Sequence, residues 1–377
     1  MSSTKPESCV AGLHDSRGLL LQWHITERCN RRCSHCYQEA YSGEELRFPD
    51  LLRIVKQFKD LLGRRNGPGK GPPIRGHVTV TGGEPFVRRD FLDLLEVFAA
   101  NRAHFSFAIL TNGSFIDEAM ARRLRELGPA FVQVSIEGTR DAHDAIRGPG
   151  DFDQTLAALK TLVRERIRTL ISFTAHRANF RDFAEVARLG CRLRVSCVWA
   201  DRLIPCGAGS GMRDRVLTPL ETREFFEIMQ RARTEAAHSR PGRTEVAMHR
   251  ALQFLVAGGR PYHCTAGDTL VTVQPNGDLC PCRRMPIRVG NLMETPLAEL
   301  YHGSDLFRAL RDRHRISDGC RDCFHAGTCR GGLRCLSCAV TGDPFKVDPG
   351  CWRIQTGIPS GMIESPGPVL SSPGLLQ

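Results

Sequence analysis

The chain has 377 residues, with 41% hydrophobic and 25% charged residues, which is typical of a globular protein with one large and one smaller domain. No apolar run approaches the ~20 residues of a membrane span, and the first twenty residues lack the basic and apolar segments of a secretory signal. These features exclude a membrane protein and predict a cytoplasmic one. The net charge of +11 is scattered without aromatic-interleaved basic patches, which argues against nucleic-acid binding.

Short apolar strands alternate with amphipathic helices from residue 19 to about residue 238. Six strands are predicted, at 19–25, 77–82, 105–111, 131–136, 169–174 and 193–199. Helices are predicted at 49–63, 90–102, 117–128 and 152–166. Repeated strand–helix units predict an α/β fold whose parallel sheet is either barrel-like or doubly wound.

Three cysteines follow the first predicted strand in the pattern C-x3-C-x2-C: Cys29, Cys33 and Cys36. Zinc sites and iron–sulfur clusters usually take four protein ligands, and no fourth thiol or suitable histidine completes this group nearby. Three thiolates on a tight loop can hold three irons of a 4Fe–4S cube, which leaves the fourth iron open for a small molecule. The loop is expected at the carboxyl edge of the sheet, where parallel α/β proteins build their sites.

Small and polar residues end the next predicted strands. Gly82 and Gly83 let a ligand approach the backbone closely, and Glu84 offers a carboxylate to an ammonium group. The third strand ends in TNG (111–113) and the fourth in VSIEG (134–138). These residues are expected to meet the cysteine loop at one edge of the sheet.

The cysteine spacing, followed by the aromatic Tyr37, resembles the signature of radical S-adenosylmethionine (SAM) enzymes. The resemblance implies a partial (β/α)6 TIM-like barrel in which the amino and carboxylate groups of SAM occupy the open iron. It also implies cofactor contacts from Tyr37, Gly82, Gly83, Glu84, Asn112, Ser135 and Arg147. Glu137 stands where the family more often has Asp, and the alternative to a cluster is a zinc knuckle or unrelated thiols. His35, between two of the cysteines, is interpreted as a surface or cluster-shielding residue rather than a zinc ligand.

Nine further cysteines crowd between 264 and 351, in an arrangement that resembles the SPASM extension found after many radical SAM barrels. The resemblance implies two auxiliary 4Fe–4S clusters, and so three clusters in all. The first would use Cys264, Cys282 and Cys335, with Cys280 or Cys338 as a fourth ligand or an open site. The second would use Cys320, Cys323, Cys329 and Cys351. The family pattern has a cysteine where this chain has Leu333, which leaves the first ligand set open, and a structural zinc ribbon is the alternative.

The predicted domains follow from these patterns. They are an N-terminal segment 1–18, a radical SAM partial barrel 19–240, a bridging region 241–261, a SPASM-like auxiliary-cluster domain 262–352 and a tail 353–377. The tail is rich in Pro, Gly and Ser, which predicts disorder. The extension is short and loop-rich, so its folding should depend on its metal.

By resemblance, a reduced cluster cleaves SAM to a 5′-deoxyadenosyl radical, which removes hydrogen from an unactivated carbon. Enzymes with this extension mostly modify peptides, so the leading prediction is a crosslink or oxidation in a ribosomally made precursor peptide or protein. About eighteen residues precede the first strand, too few for a leader-binding domain, so a separate leader-binding protein or direct recognition is expected. Flavodoxin or ferredoxin is the expected reductant. Outside the SAM cluster only Cys206, after the sixth strand, is a candidate for substrate handling at the site mouth.

Three alternatives to peptide maturation stay open at this point. Anaerobic sulfatase maturases, which make formylglycine, share the architecture. Enzymes of the haem pathway carry a similar approach to the last cysteine, represented here by residues 329–352. The third alternative is a non-catalytic iron–sulfur or zinc protein that binds partners or passes electrons.

Overall fold

The computed structural model describes residues 18–65, 75–238 and 244–354. The predicted N-terminal segment and tail therefore lie almost entirely outside the described residues. No helix in the described part of the chain is long and apolar enough to cross a membrane.

Strands and helices alternate in the order expected of an α/β protein. The strands are β1 (Leu19–His24), β2 (Gly76–Thr81), β3 (Phe105–Thr111), β4 (Val132–Ser135), β5 (Thr169–Ala175), β6 (Cys197–Arg202), β7 (Glu245–Ala247), β8 (Leu270–Val273), β9 (Asp278–Cys280) and β10 (Gly290–Asn291). The α-helices are α1 (Phe48–Arg65), α2 (Phe91–Ala100), α3 (Glu118–Leu127), α4 (Arg140–Arg147), α5 (Asp151–Arg164), α6 (Phe183–Leu193), α7 (Pro219–His238), α8 (Phe254–Ala257), α9 (Leu297–Gly303), α10 (Asp305–Arg311), α11 (Ala326–Cys329) and α12 (Arg334–Thr341).

One sheet of ten strands runs through the described residues in the order β10-β9-β8-β1-β2-β3-β4-β5-β6-β7. The eight strands from β8 to β7 in this order pair in parallel, and the two at the β10 end are antiparallel. The α/β prediction with a partial barrel is confirmed. The carboxyl ends of β1 to β6 lie at one edge, which positions the residues that follow them.

The sixth strand differs from its predicted position at 193–199. Helix α6 continues to Leu193, and Arg194 ends it in the left-handed conformation with a φ of 60°. Val195 then donates its N–H back to the carbonyl of Gly190 at 3.1 Å. Because residues 193–195 close the helix, the strand begins only at Cys197.

Aromatic side chains fill the space between the sheet and its helices. Phe58 of α1 and Phe98 of α2 pack against Phe105, with ring centroids 5.8 Å apart in both pairs. All three side chains are fully buried. Burial of such rings contributes a large share of the apolar area removed from water, so the helix layer is fixed on the sheet.

Candidate active site

The three cysteines of the first cluster line one pocket of about 170 Å³ at the carboxyl ends of the strands. Burial raises the pKa of the Cys33 thiol to about 11. A neighbouring cation or metal is therefore needed to hold this sulfur as a thiolate. Cys36 donates its N–H to the carbonyl of Cys33 at 3.1 Å, which keeps the loop tight.

The two glycines after β2 lie directly against the cysteine loop. Gly83 donates its N–H to the carbonyl of Thr26 at 2.8 Å. A Cβ atom at Gly82 would lie 2.4 Å from that same carbonyl oxygen, and one at Gly83 would lie 2.4 Å from the carbonyl oxygen of Arg28. Both glycines line the pocket, so their lack of a side chain lets two backbone segments and a ligand share the space.

Glu84 does not line this pocket, although the sequence pointed to it as a cofactor contact. Its fully buried carboxylate accepts hydrogen bonds from the N–H of Asn112 and the hydroxyl of Thr111, both at 2.8 Å. Burial raises its pKa to about 7, although these hydrogen bonds favour the charged form. In this structure Glu84 holds the loop after β3 in position beside the cysteines.

Asn112, Ser135, Arg147 and Tyr37 all lie on the pocket wall, so six of the seven predicted cofactor contacts come together. The amide of Asn112 is 4.0 Å from the sulfur of Cys29. The hydroxyl of Ser135 is 3.2 Å from that of Ser172 on the neighbouring strand. These contacts come from the ends of different strands, which is how parallel sheets assemble sites.

A buried ion-pair network stands behind Arg147. Its guanidinium donates to Glu137 at 2.6 Å, and His35 Nε2 lies 3.1 Å from the same carboxylate oxygen. Burial alone would raise the pKa of Glu137, but His35 and Arg147 hold it well below its usual range. The side chain of His35 is only 7% exposed, so it is a buried part of this network and does not lie on the surface.

Cys206 lies behind the cysteine loop, whereas the sequence predicted it at the site mouth. It precedes a 3-10 helix over Gly207–Arg215, in which Gly209 donates its N–H to the carbonyl of Cys36 at 2.8 Å. It does not line the pocket, and burial raises its pKa to about 12.

Two further groups of cysteines surround two smaller pockets in the extension. The four predicted for the second auxiliary cluster line one of them: Cys320, Cys323, Cys329 and Cys351. Cys264, Cys282 and Cys335 line the other, together with Leu333. Cys280 and Cys338 do not line that pocket, so among the described cysteines only three bring their thiols to it.

The cysteines are spread around their pockets. Within the described ranges, no three Cys, His, Asp or Glu side chains approach closely enough to hold a single metal ion. A structural zinc site gathers its four ligands around one ion at about 2.0–2.3 Å each.

Residues of the main pocket that sequence reasoning did not find include Trp199, Asp201, Arg202, Arg283 and Arg284. The last two follow Cys282 directly, and a pair of adjacent arginines beside a predicted ligand is the signal that could have indicated them. The other three come from β6, whose predicted position was wrong.

A three-cysteine loop at the carboxyl edge of a partial barrel, followed by two thiol-lined pockets, defines a radical SAM protein with a SPASM extension. The Radical SAM superfamily model matches residues 23–190, and the iron-sulfur cluster-binding (SPASM) domain model matches residues 264–324. The chain therefore carries a radical SAM domain and a SPASM domain. These domains imply SAM and 4Fe–4S clusters as cofactors.

The chain is also similar to curated proteins of two kinds. It is 26% identical to the AdoMet-dependent heme synthase of Nitratidesulfovibrio vulgaris, covering 88% of this chain and 91% of that protein. It is 28% identical to the pre-heme d1 synthase of Dinoroseobacter shibae, covering 88% and 85%. It is 29% identical to the mycofactocin maturase MftC of Mycobacterium tuberculosis, covering 88% and 82%.

Solved structures share the fold. AdoMet-bound anSMEcpe has a TM-score of 0.68 at 17% identity, covering 88% of this chain and 94% of its own. Streptococcus suis SuiB bound to its precursor peptide SuiA also has a TM-score of 0.68 at 17% identity, covering 90% and 77%. At this identity the likeness shows the architecture alone.

Proposed function

We propose that this protein is a radical SAM maturase that removes hydrogen from a carbon of a ribosomally made precursor peptide and so installs a crosslink or an oxidation. The observation that carries the proposal is the pocket that joins the three-cysteine loop to polar residues from several strand ends. The similarity to MftC supports a peptide substrate.

The residues of this pocket fit a 4Fe–4S cluster and SAM. Three thiols share one cavity, and two glycines leave open a cradle that a Cβ at either position would fill. When bound, the cluster and SAM supply the 5′-deoxyadenosyl radical.

The chain's own residues bind and orient these groups. The backbone at Gly82 and Gly83, on the pocket wall beside the cysteine loop, would meet the SAM amino group. Arg147 is held in one orientation by Glu137, and so would present a fixed cation to the SAM carboxylate. Ser135 offers a hydroxyl at the end of the adjacent strand.

We also propose two auxiliary clusters, in keeping with the two smaller pockets. Cys320, Cys323, Cys329 and Cys351 would hold one of them. Cys264, Cys282 and Cys335 would hold the other with one iron open. Three cubes correspond to about twelve irons per chain after anaerobic reconstitution. A flavodoxin or ferredoxin would supply the electron, and a separate leader-binding protein would deliver the peptide.

Anaerobic turnover tests the proposal. The reconstituted protein is incubated with SAM, dithionite and synthetic peptides copied from the short reading frames that flank its gene. We expect 5′-deoxyadenosine to form and one peptide to change in mass. The matched control, with Cys29, Cys33 and Cys36 replaced by Ala, should do neither. A protein that releases no 5′-deoxyadenosine under any of these conditions would be a binding or electron-transfer protein instead.

The second candidate is a haem-pathway activity, favoured by the similarity to the heme synthases. The same assay with iron-coproporphyrin III separates the two. Faster SAM cleavage and a mass change of the tetrapyrrole, with every peptide unchanged, would replace the peptide proposal with this one.

A further inference from the structure

The main pocket and the pocket of the first auxiliary thiols share a wall. Five residues line both: Leu110, Gln133, Trp199, Arg283 and Arg284. A molecule that enters the main pocket can therefore reach the partition between the two groups of cysteines, and this partition carries two arginines and a tryptophan.

A short turn after Cys282 presents the two arginines. Met285 donates its N–H to the carbonyl of Cys282 at 2.9 Å, and the same two residues form an antiparallel bridge. Arg283 and Arg284 occupy the two positions inside this turn. Their placement is therefore tied to the backbone of a predicted cluster ligand.

Four of the five arginines that line the main pocket are neutralised by an acidic partner. Arg31 pairs with Asp151 at 2.5 Å, Arg147 with Glu137 at 2.6 Å, Arg202 with Asp348 at 2.6 Å and Arg284 with Asp201 at 2.6 Å. Each pair lets its cation tolerate the low dielectric of the site. These pairs fix the four guanidinium groups in the walls of the pocket, each with an acidic partner already beside it.

Arg283 is different. Within residues 18–65, 75–238 and 244–354, its guanidinium makes no hydrogen bond and no ion pair, whereas Arg31 and Arg284, whose buried Nε atoms also lack an acceptor, each have an acidic partner. Its contact is with the ring of Tyr37, whose centroid lies 5.4 Å from the guanidinium carbon. A ring face stabilises a cation less than a carboxylate does.

The neighbouring imidazole of His24 does not change the charge at this partition. His24 is buried at the end of β1, with its ring 5.6 Å from that of Tyr37. Burial, and the charge of Arg283 after it, lower the pKa of His24 to about 3. The imidazole is therefore neutral, and the cationic character of the partition comes from Arg283 itself.

We propose that Arg283 binds a carboxylate of the substrate at this partition, with Arg284 beside it. A cation without a partner in a partly buried pocket raises the free energy of the protein. A bound anion that accepts two hydrogen bonds from this cation offsets that increase. Trp199 and Leu110 on the same wall supply apolar contact for the part of the substrate next to the carboxylate. The inference rests on the proposed function, because it names what that substrate carries.

Binding measurements on the reconstituted holoprotein test this assignment. One probe is a pool of random pentapeptides made as free acids and as C-terminal amides, and the other is iron-coproporphyrin III with its tetramethyl ester. Equilibrium dialysis gives the preference for acid over amide or ester. Arg283→Gln should weaken binding of the acid about 10- to 100-fold and remove the preference, while Arg283→Lys keeps part of it.

Arg288→Gln is the matched control, because Arg288 lies in the same segment but is 57% exposed and pairs with Asp278. It should bind both probes as the wild-type protein does. SAM affinity and iron content are measured in every variant and should stay within about twofold of the wild-type values.

Four results would overturn the assignment. If Arg283→Gln loses SAM affinity as strongly as it loses affinity for the acid, Arg283 is a SAM-binding residue. If the variant loses iron, Arg283 supports the auxiliary cluster. If the wild-type protein shows no preference for the acid, or if Arg283→Gln retains that preference, Arg283 does not bind a substrate carboxylate. A preference seen only with the tetrapyrrole would uphold Arg283 and contradict the peptide substrate, so the two proposals fail separately.

Discussion

At the level of single residues, the segment Gly82-Gly83-Glu84 acts through close contact between backbones more than through the chemistry of its side chains. Gly83 and Glu84 donate their N–H groups to the carbonyls of Thr26 and Arg28, at 2.8 and 2.9 Å. These two bonds place the cysteine loop on the end of β2. The glycines are required because the approach leaves no room for a Cβ.

Gly83→Ala should therefore displace the cysteine loop. Its Cβ would lie 2.4 Å from the carbonyl oxygen of Arg28 and 2.8 Å from the Cβ of Cys29, and such overpacking costs about 1–3 kcal/mol. We expect the reconstituted variant to lose about four irons and its SAM cleavage, because one cube is lost and the others stay. Iron analysis and 5′-deoxyadenosine release measure both effects.

Gly63→Ala is the control for this substitution. Gly63 lies in helix α1, and a Cβ there would meet no atom within 4 Å. This variant should keep its iron and its activity. Normal SAM cleavage in Gly83→Ala would show that the loop can move without harm, and that the close approach is not needed for function.

The sequence predicts the first cysteine site well at this scale because its residues are close together or at strand ends. Cys29, Cys33 and Cys36 share one loop, and Asn112 and Ser135 follow strands whose apolar pattern is clear. The two arginines after Cys282 are a visible signal, but the sequence does not tell which pocket they line, and it does not tell that the carboxylate of Glu84 points into the protein. Both depend on contacts between segments that are far apart in the chain.

A fully buried ion pair joins strand β6 to the extension. Arg202, the last residue of β6, donates to both carboxylate oxygens of Asp348, at 2.8 and 2.6 Å. Asp348 also accepts the N–H groups of Leu333 and Gly350, at 2.8 and 2.9 Å. One carboxylate thus organises two loops that carry auxiliary cysteines and attaches them to the barrel.

Asp348→Asn should weaken the attachment of the extension to strand β6. Removing one partner of a buried ion pair costs about 3–5 kcal/mol, because the other charge is left without compensation. We expect a lower midpoint of thermal unfolding, faster proteolytic cleavage in the extension and loss of auxiliary iron. Differential scanning fluorimetry and limited proteolysis under anaerobic conditions measure the changes.

Glu227→Gln is the matched control, since it breaks the exposed pair with Arg223 on helix α7, where ion pairs contribute little. Replacing both buried partners, as Arg202→Met with Asp348→Leu, should recover part of the lost stability. If Asp348→Asn unfolds at the wild-type temperature, the pair does not hold the extension.

Elements with a long apolar pattern were predictable, and short ones were not. Strands β1, β3 and β5 lie within one residue of their predicted positions at 19–25, 105–111 and 169–174. Strands β8 to β10 have two to four residues each, too few for periodicity to show. Their place beside β1 depends on tertiary contacts, which a single sequence does not reveal.

At the scale of the whole molecule, the extension completes the barrel as well as following it. Strand β8 pairs in parallel with β1, from Leu20 with Leu270 to Trp23 with Val273. Helix α1 also contacts the extension, because the side chain of Gln57 accepts the N–H of Leu297 at 2.7 Å and donates to Leu292 at 3.0 Å. The predicted barrel therefore has an edge that the predicted extension covers.

A chain that ends after residue 258 should accordingly fail to behave as a separate barrel. It would expose the unpaired N–H and C=O groups of β1, and an apolar edge strand is a template for aggregation. We expect aggregates in size-exclusion chromatography and no SAM cleavage after reconstitution. The matched control ends after residue 354, keeps every described element and should elute and react as the full chain does.

A soluble monomer of the shorter chain that binds about four irons and cleaves SAM would mean that β1 is stable at an open edge. The pairing with β8 would then serve to position the auxiliary thiols beside the pocket, and would not be needed to fold the barrel.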